Sequence, residues 1–214
     1  MLVGRRMTRN PKTVGPGDPL TRVADIMREF RINHLPVVEG GKLVGILSDT
    51  DLRNVSLASD RPSEPGEPQA RERKVGEVMK TEVWSLTPDD SVEDALLIIQ
   101  RKKFGALPVL EGDRLVGIIT KLDMINTFID VLDIDEVGLR VEVILPRSFR
   151  RFEEMIGIVQ ELGVGLRSCL IAPETKGADR MVVLLRLDTV NGPMVRGALR
   201  ARKFEVLDPG TDSL

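Results

Sequence analysis

The stretch that decides the fold occurs twice: LPVVEGGKLVGI at residues 35–46 and LPVLEGDRLVGI at residues 107–118. A shift of 72 residues aligns residues 7–54 (copy one) with residues 79–126 (copy two) without a gap, and 15 of the 48 aligned positions are identical. A gap-free match of that density indicates an internal duplication. Two copies favour a pseudo-twofold pair, because a solenoid needs three or more units.

Each copy has the pattern strand, helix, strand, strand, helix. Apolar residues from Leu20 to Phe30 recur at helical spacing, and two apolar runs follow with Gly40 and Gly41 between them. Glycines in such a turn predict a β-hairpin, because they adopt positive φ without strain. In copy two, Asp90 and Glu93 have the spacing of a capping box.

The repeat ends near residue 136, and a different pattern follows. One strand around Val143, a helix with Phe149 and Phe152 on one face, two further strands, a short basic helix and a last strand give the order βαββαβ. Gly163 is the expected end of the first of these helices. This order is the ferredoxin-like arrangement. We predict an α/β (α+β) protein with domains at 1–72, 73–136 and 137–214, and a flexible linker over 55–74.

Composition restricts the function. Apolar residues make up 42% and charged residues 30%, so the chain is not globally disordered. A net charge of −2 and 3% aromatic residues argue against binding to nucleic acid. No apolar run is long enough to cross a membrane. The single cysteine, Cys169, is predicted to be a buried, inert thiol and fits a reducing compartment, so we expect a cytoplasmic protein.

Both copies carry Ser/Thr-x-x-Asp where the second strand of the hairpin gives way to a helix, at Ser48 to Asp51 and at Thr120 to Asp123. One interpretation is a helix cap, which stabilises a helix by about 0.5–2 kcal/mol. The other is a ligand site, because a helix N-terminus attracts phosphate and a carboxylate accepts hydrogen bonds from ribose hydroxyls. The recurrence of the motif in one register favours the second interpretation.

These motifs resemble a tandem of cystathionine-β-synthase (CBS) domains, a Bateman module, over residues 1 to about 136. The resemblance implies two clefts for adenosine-type regulatory ligands such as AMP, ADP or ATP, and no required cofactor. In the family the Asp holds the ribose, the extended piece before the first helix contacts the base, and the partner domain contacts the phosphates. One cleft would use Thr13, Val14, Ser48 and Asp51, and the other Ser85, Leu86, Thr120 and Asp123.

The two clefts differ in charge. His34, the one histidine, corresponds to Ala106 in copy two, and Lys121 corresponds to Asp49 in copy one. If the partner rule holds, His34 faces the Asp123 cleft, which therefore gains an imidazole and a lysine and is predicted to prefer phosphorylated ligands. Lys102 and Lys103 could supply positive charge to the Asp51 cleft instead. The alternative for His34 is a polar residue at a turn.

Residues 137–214 resemble an ACT domain in topology, and the whole arrangement resembles AcuB-like proteins. The segment from Leu145 to Phe149 lacks the glycine of the ACT ligand loop, so the resemblance implies dimerisation more than amino-acid binding. The chain has no catalytic constellation or metal motif. The leading prediction is a non-enzymatic sensor that forms a homodimer and acts on an effector protein. The alternatives are a ligand-free interaction module and an amino-acid sensor.

Overall fold

The computed structural model describes residues 1–59, 73–175 and 178–207. The chain divides into two compact units, Met1–Ile125 and Asn126–Leu214. The division falls inside a helix, Lys121–Leu132, so the predicted domain limits stay predictions. Most of the predicted linker over 55–74 lies outside the described residues. Its first residues are not a linker, because they belong to a helix, Asp49–Ser59.

The first unit contains both copies up to Ile125, and each copy has the predicted order helix, strand, strand, helix. The strand predicted before the first helix is only an isolated bridge, at Val14 in copy one and at Leu86 in copy two. Copy one consists of α1 (Leu20–Phe30), β2 (His34–Glu39), β3 (Lys42–Ser48) and α2 (Asp49–Ser59). Copy two consists of α3 (Val92–Lys102), β4 (Ala106–Glu111), β5 (Arg114–Thr120) and α4 (Lys121–Leu132). Strand β1 (Thr8–Arg9) precedes copy one's first helix, and short 3-10 helices lie at Val3–Arg5 and Val75–Glu77.

The predicted hairpins are confirmed. Strands β2 and β3 pair antiparallel, with His34 opposite Ser48, and β4 and β5 pair in the same register, with Ala106 opposite Thr120. The turn glycine Gly41 has a φ of +82°, which side chains other than glycine rarely adopt. Each hairpin therefore ends with its Ser/Thr-x-x-Asp motif at the start of the following helix.

The two copies exchange their N-terminal segments. Strand β1 pairs with β5 of copy two, with Thr8 opposite Ile118. In the equivalent position, Lys80 pairs with Ile46 of β3 through backbone hydrogen bonds of 2.9 and 3.0 Å. The start of each segment before a first helix therefore lies against the other copy. Further along, the segments return to their own copies, where Val14 pairs with Val37 and Leu86 pairs with Val109.

Each copy has its own apolar core, and the exchange also contributes to both. The core of copy two includes Val3 and Met7 from the start of the chain, and that of copy one includes Val75. The sulfur of Met79 would lie 2.6 Å from a Cβ at Gly45, and that of Met7 would lie 2.3 Å from one at Gly117. A side chain at either glycine would therefore have to displace the exchanged methionine that packs against it.

The second unit has the predicted ferredoxin-like order. Its elements are β6 (Leu139–Pro146), α5 (Phe149–Glu161), β7 (Leu166–Pro173), β8 (Arg180–Leu187), α6 (Gly192–Ala201) and β9 (Glu205–Leu207). The strands form one antiparallel sheet in the order β7-β8-β6-β9, and both helices pack their apolar faces into its core. The fold-class prediction is confirmed.

Three details of the second unit were predicted with mixed success. Gly163 follows α5 with a φ of +65°, as predicted for a helix terminator. Phe149 does not belong to the buried face, because it is 82% exposed. Cys169 is not buried either: it is exposed on the edge strand β7, although partial desolvation raises the pKa of its thiol.

Candidate ligand-binding site

Both Ser/Thr-x-x-Asp motifs form the same hydrogen-bonded box. The Asp51 carboxylate accepts bonds from the backbone N–H of Ser48 at 2.9 Å and from its hydroxyl, and Ser48 Oγ accepts a bond from the Asp51 N–H at 3.3 Å. In copy two the distances from Thr120 N and Oγ1 to Asp123 Oδ2 are both 2.8 Å. In each motif the capping bonds are made to Oδ2 of the carboxylate. Capping the helix therefore requires only one of the two carboxylate oxygens.

The second oxygen of Asp51 has an ionic partner from the exchanged segment. Asp51 Oδ1 lies 3.0 Å from Lys80 Nζ, and the Asp51 side chain is 13% exposed. Burial favours a raised pKa for Asp51, but hydrogen bonds from Ser48 and Lys80 outweigh it and hold the pKa below its ordinary value. The residue that corresponds to Lys80 in the repeat is Thr8. Asp51 is therefore an ionised acceptor whose outer oxygen is paired with a lysine from the exchanged segment.

A cavity of about 440 Å³ lies in front of Asp51 and draws its walls from both copies. Besides Ser48 and Asp51, its lining includes the side chains of His34, Asp49, Arg53, Lys80, Lys103 and Lys121. Arg53 binds Asp49 and Lys80 binds Asp51. No carboxylate of the described residues forms an ion pair with Lys103 or Lys121. The cavity therefore has two cations in excess, and an anionic group is the complement it would accept.

His34 lies at the junction of the two copies. Its Nε2 would be 2.2 Å from a Cβ at Gly105, so the ring rests on the backbone of copy two. Burial lowers the pKa of His34 below its ordinary value; the Asp51 carboxylate opposes this, and Lys121 and Lys80 reinforce it. His34 is therefore neutral near pH 7 and accepts or donates hydrogen bonds at the cavity wall.

This lowered pKa makes stability depend on pH. The unfolded chain takes up a proton near the ordinary pKa of about 6.5, whereas the folded chain takes it up only at a lower pH. We therefore expect the free energy of unfolding to fall as the pH is lowered from 7.5 to 5.5, and to fall less in His34→Ala. Urea unfolding at each pH measures the difference. Parallel curves for the two proteins would contradict the assignment.

The segments predicted to contact a base lie in different environments. Ser85 lines a separate cavity of about 310 Å³ together with Thr81 and Val83. Val14 and Leu86 are buried, and the backbone N–H and C=O of each are bonded to the neighbouring hairpin strand. Thr13 is exposed. Of these four residues, Thr13 and Ser85 remain the candidates for a base contact.

The predicted grouping of the extended segments with the two motifs stays a prediction. Val14 pairs with Val37 in the hairpin of copy one, and Leu86 pairs with Val109 in the hairpin of copy two, so each segment lies against its own copy, as the grouping of Thr13 with Asp51 and of Ser85 with Asp123 requires. Only the starts of the two segments are exchanged, where Thr8 pairs with Ile118 and Lys80 pairs with Ile46.

The predicted charge difference needs correction. His34 and Lys121 were assigned to the Asp123 cleft, yet both line the cavity that contains Asp51. Lys103, which was named as an alternative source of positive charge for Asp51, lines it too, whereas Lys102 instead stacks over Trp84. Lys80 and Arg53 were missed. The one sequence signal for Lys80 lies in the repeat alignment, where this lysine of copy two corresponds to Thr8 of copy one.

The described residues hold no candidate for a metal site or for a membrane-spanning helix. No group of three or more His, Cys, Asp or Glu side chains there could hold a metal ion. No helix among them is long and apolar enough to span a bilayer.

Comparison with known proteins agrees with the duplicated architecture. The sequence profile of the CBS domain matches residues 3–58 and again residues 75–130, which together span more than half of the chain and coincide with the two copies. The chain belongs to the CBS-domain family. The profile does not extend to the ferredoxin-like unit, so its likeness to ACT domains stays a prediction.

Relatives share the CBS pair. The CBS domain-containing protein YhcV of Bacillus subtilis is 32% identical over 118 residues, 55% of this chain and 79% of that protein. The crystal structure of an acetoin utilization protein, AcuB, from Vibrio cholerae is 34% identical with a TM-score of 0.54, and covers 63% of this chain and 94% of that one. The CBS pair of protein MJ0100, crystallised with 5′-methylthioadenosine and S-adenosyl-L-methionine, is 27% identical with a TM-score of 0.52, and covers 60% and 95%.

Proposed function

We propose that this chain is a regulatory sensor, not an enzyme, and that it binds a phosphorylated adenosine ligand in the cavity in front of Asp51. The observation that carries the proposal is the cavity itself: a capped, ionised carboxylate and two cations without carboxylate partners among the described residues line one space of about 440 Å³. The adenosine compounds bound by the MJ0100 pair support the ligand class.

Different residues bind different parts of the ligand. Asp51 accepts hydrogen bonds from the ribose hydroxyls, and Lys80 moves from Asp51 Oδ1 toward the ligand. Lys103 and Lys121 bind the phosphates, and the N-terminus of α2 adds its positive dipole end. Thr13 and Ser85 remain the proposed base contacts, one in each cleft, with Thr120 and Asp123 as the ribose site of the second.

The proposal predicts that affinity depends on phosphate through two lysines. Replacing Lys103 and Lys121 by methionine is expected to weaken AMP or ATP binding by at least about tenfold, because a hydrogen bond to a charged group contributes about 1.5–3 kcal/mol. The affinity for adenosine itself should not change. Isothermal titration calorimetry measures both ligands with each protein.

Lys102→Met is the matched control, because Lys102 neighbours Lys103 in sequence but lies over the Trp84 ring outside the cavity. It should bind AMP as the wild type does. Equal losses for AMP and adenosine in the double variant, or no loss of AMP binding, would contradict the proposed role of the two lysines.

A role in association is proposed for the second unit. Its edge strand β7 exposes Leu170 and Ile171, and an unpaired edge with apolar side chains favours pairing with another chain. This supports the ACT-like dimerisation expected from the sequence, and an effector protein or a second ligand would act there. Homodimer formation, the effector partner and a cytoplasmic location stay predictions.

A further inference from the structure

His34 is the one side chain lining the cavity in front of Asp51 that ordinarily changes charge near neutral pH. It belongs to the cavity wall, and histidine is the side chain whose ordinary pKa lies between pH 5 and 8. Among the described residues, neither ring nitrogen of His34 has a hydrogen-bond partner. The imidazole can therefore contact a ligand and change its charge on doing so.

The fold itself does not require a histidine at this position. The counterpart of His34 in the repeat is Ala106, which lines the same cavity. The two copies thus present an imidazole and a methyl group at equivalent positions, and the hairpin that follows has the same register in both. This difference indicates that the imidazole serves the cavity and not the fold.

Charged groups face the His34 ring from several elements. Two are carboxylates on α2, one is a lysine on the exchanged segment and one is a lysine on α4: Asp49, Asp51, Lys80 and Lys121. The strand β3 adds the uncharged Ser48, and the turn after α3 adds the backbone of Gly105. Because the carboxylates and the lysines oppose each other, burial decides the balance and lowers the pKa of the imidazole. Without a ligand the ring is neutral near pH 7.

A bound phosphate changes this balance. The cavity wall carries four cations against two carboxylates, a formal charge of +2, and the cations are Arg53, Lys80, Lys103 and Lys121. A phosphate monoester carries a charge of about −1.5 to −2 at pH 7, so AMP neutralises the wall, and ADP or ATP makes it negative. Each negative charge beside His34 raises its pKa. The protonated ring then donates hydrogen bonds from both nitrogens to phosphate oxygens, whereas the neutral ring donates one.

We propose that His34 adjusts the charge of the cavity to its ligand: it takes up a proton when a phosphorylated adenosine compound binds, and the uptake increases with the number of phosphates. The inference rests on the proposed function, because it concerns the same ligand in the same cavity. It adds a residue that selects among the phosphorylated compounds. The affinity for ATP relative to AMP then rises as the pH falls.

The direction of the pH effect follows from this proton uptake. The ring holds its proton up to a higher pH with the ligand bound than without it, so binding strengthens as the pH falls through that range. Between pH 7.5 and 6.0 the affinity of the wild type for ATP should rise by about threefold or more relative to His34→Gln. The gain for AMP should be smaller, and adenosine should show none.

Titration calorimetry at pH 6.5 in two buffers with different enthalpies of ionisation measures the proton uptake directly. EDTA removes divalent cations, which would otherwise neutralise the phosphates. The wild type should take up more protons per ATP bound than His34→Gln, and this excess should decrease for AMP and vanish for adenosine. The comparison with the variant cancels the proton that the phosphate itself gains or loses. His34→Ala is the second variant, because the repeat already has alanine at the equivalent position, and urea unfolding checks that both variants fold.

The outcomes separate this proposal from the proposed function. An excess proton uptake that grows from AMP to ATP and is lost in both folded variants supports it. If phosphorylated compounds bind but the wild type and the variants take up protons equally, the role of His34 is overturned and the proposed function stands. An equal excess with adenosine also overturns it, because the ring then does not respond to phosphate. If no phosphorylated compound binds the wild type, the proposed function fails and the role of His34 fails with it.

Discussion

Asp51→Asn is expected to remove most of the stabilisation that an adenosine ligand gives to this protein. A ligand at a hundred times its Kd adds about 2.7 kcal/mol to the free energy of unfolding. The substitution replaces an ionised acceptor, whose pKa is held low by Ser48 and Lys80, with a neutral one. Two lost bonds to a charged group, at about 1.5–3 kcal/mol each, would make the ligand ineffective at that concentration. Thermal unfolding with and without AMP or ATP measures the effect.

The chain provides a matched control for the capping role of Asp51. Ser91 and Asp94 form a similar side-chain cap at the start of α3: Ser91 Oγ donates to the Asp94 carboxylate at 2.7 Å and accepts from the Asp94 N–H at 3.0 Å. Asp94→Asn should lose cap stability without losing the ligand response, because Asp94 does not line the cavity. An equal ligand response in wild type and Asp51→Asn would rule Asp51 out as a ligand-binding residue.

Gly105→Ala is expected to destabilise the protein by about 1–3 kcal/mol, the usual cost of overpacking. The new Cβ would lie 2.2 Å from Nε2 and 2.6 Å from Cε1 of His34, so the imidazole must leave its position. The repeat shows that this position accepts a side chain when no imidazole faces it. Asn33 is the counterpart of Gly105, and the counterpart of His34 is Ala106. His34→Ala should therefore restore most of the stability of Gly105→Ala.

A double-mutant cycle in urea separates this contact from other effects. Additive losses from Gly105→Ala and His34→Ala would show that the two residues do not compete for space. Gly157→Ala is the control, because a Cβ at Gly157 meets nothing within 4 Å, and it should not destabilise the chain.

The sequence predicted the local elements better than their long-range assembly. The repeat and its turn glycines predicted both hairpins, because these depend on neighbouring residues. The capping box of α3 was predicted one residue too early: Ser91 is the cap and Asp94 its partner, whereas Asp90 instead accepts a bond from the Thr87 N–H at 2.6 Å. Two adjacent residues can both cap, and spacing alone does not choose between them.

The sequence predicted individual residues of the candidate site but not which of them lie together. Ser48, Asp51, His34 and Lys121 were all named, yet they were divided between two clefts. The missing information is the exchange that brings Lys80 to Asp51, a pairing of segments 34 residues apart in the chain. The Ser-x-x-Asp spacing is not specific either, because it recurs at Ser91 to Asp94 as a simple cap.

The central claim is that the cavity in front of Asp51 binds a phosphorylated adenosine ligand. Isothermal titration calorimetry of the wild-type chain with adenosine, AMP, ADP, ATP and S-adenosylmethionine tests it most directly. We predict saturable binding of at least one phosphorylated compound, tighter than that of adenosine and of S-adenosylmethionine, because of the excess positive charge at Lys103 and Lys121. Absence of binding by every adenosine compound, or a preference for S-adenosylmethionine over all the phosphorylated compounds, would contradict the claim.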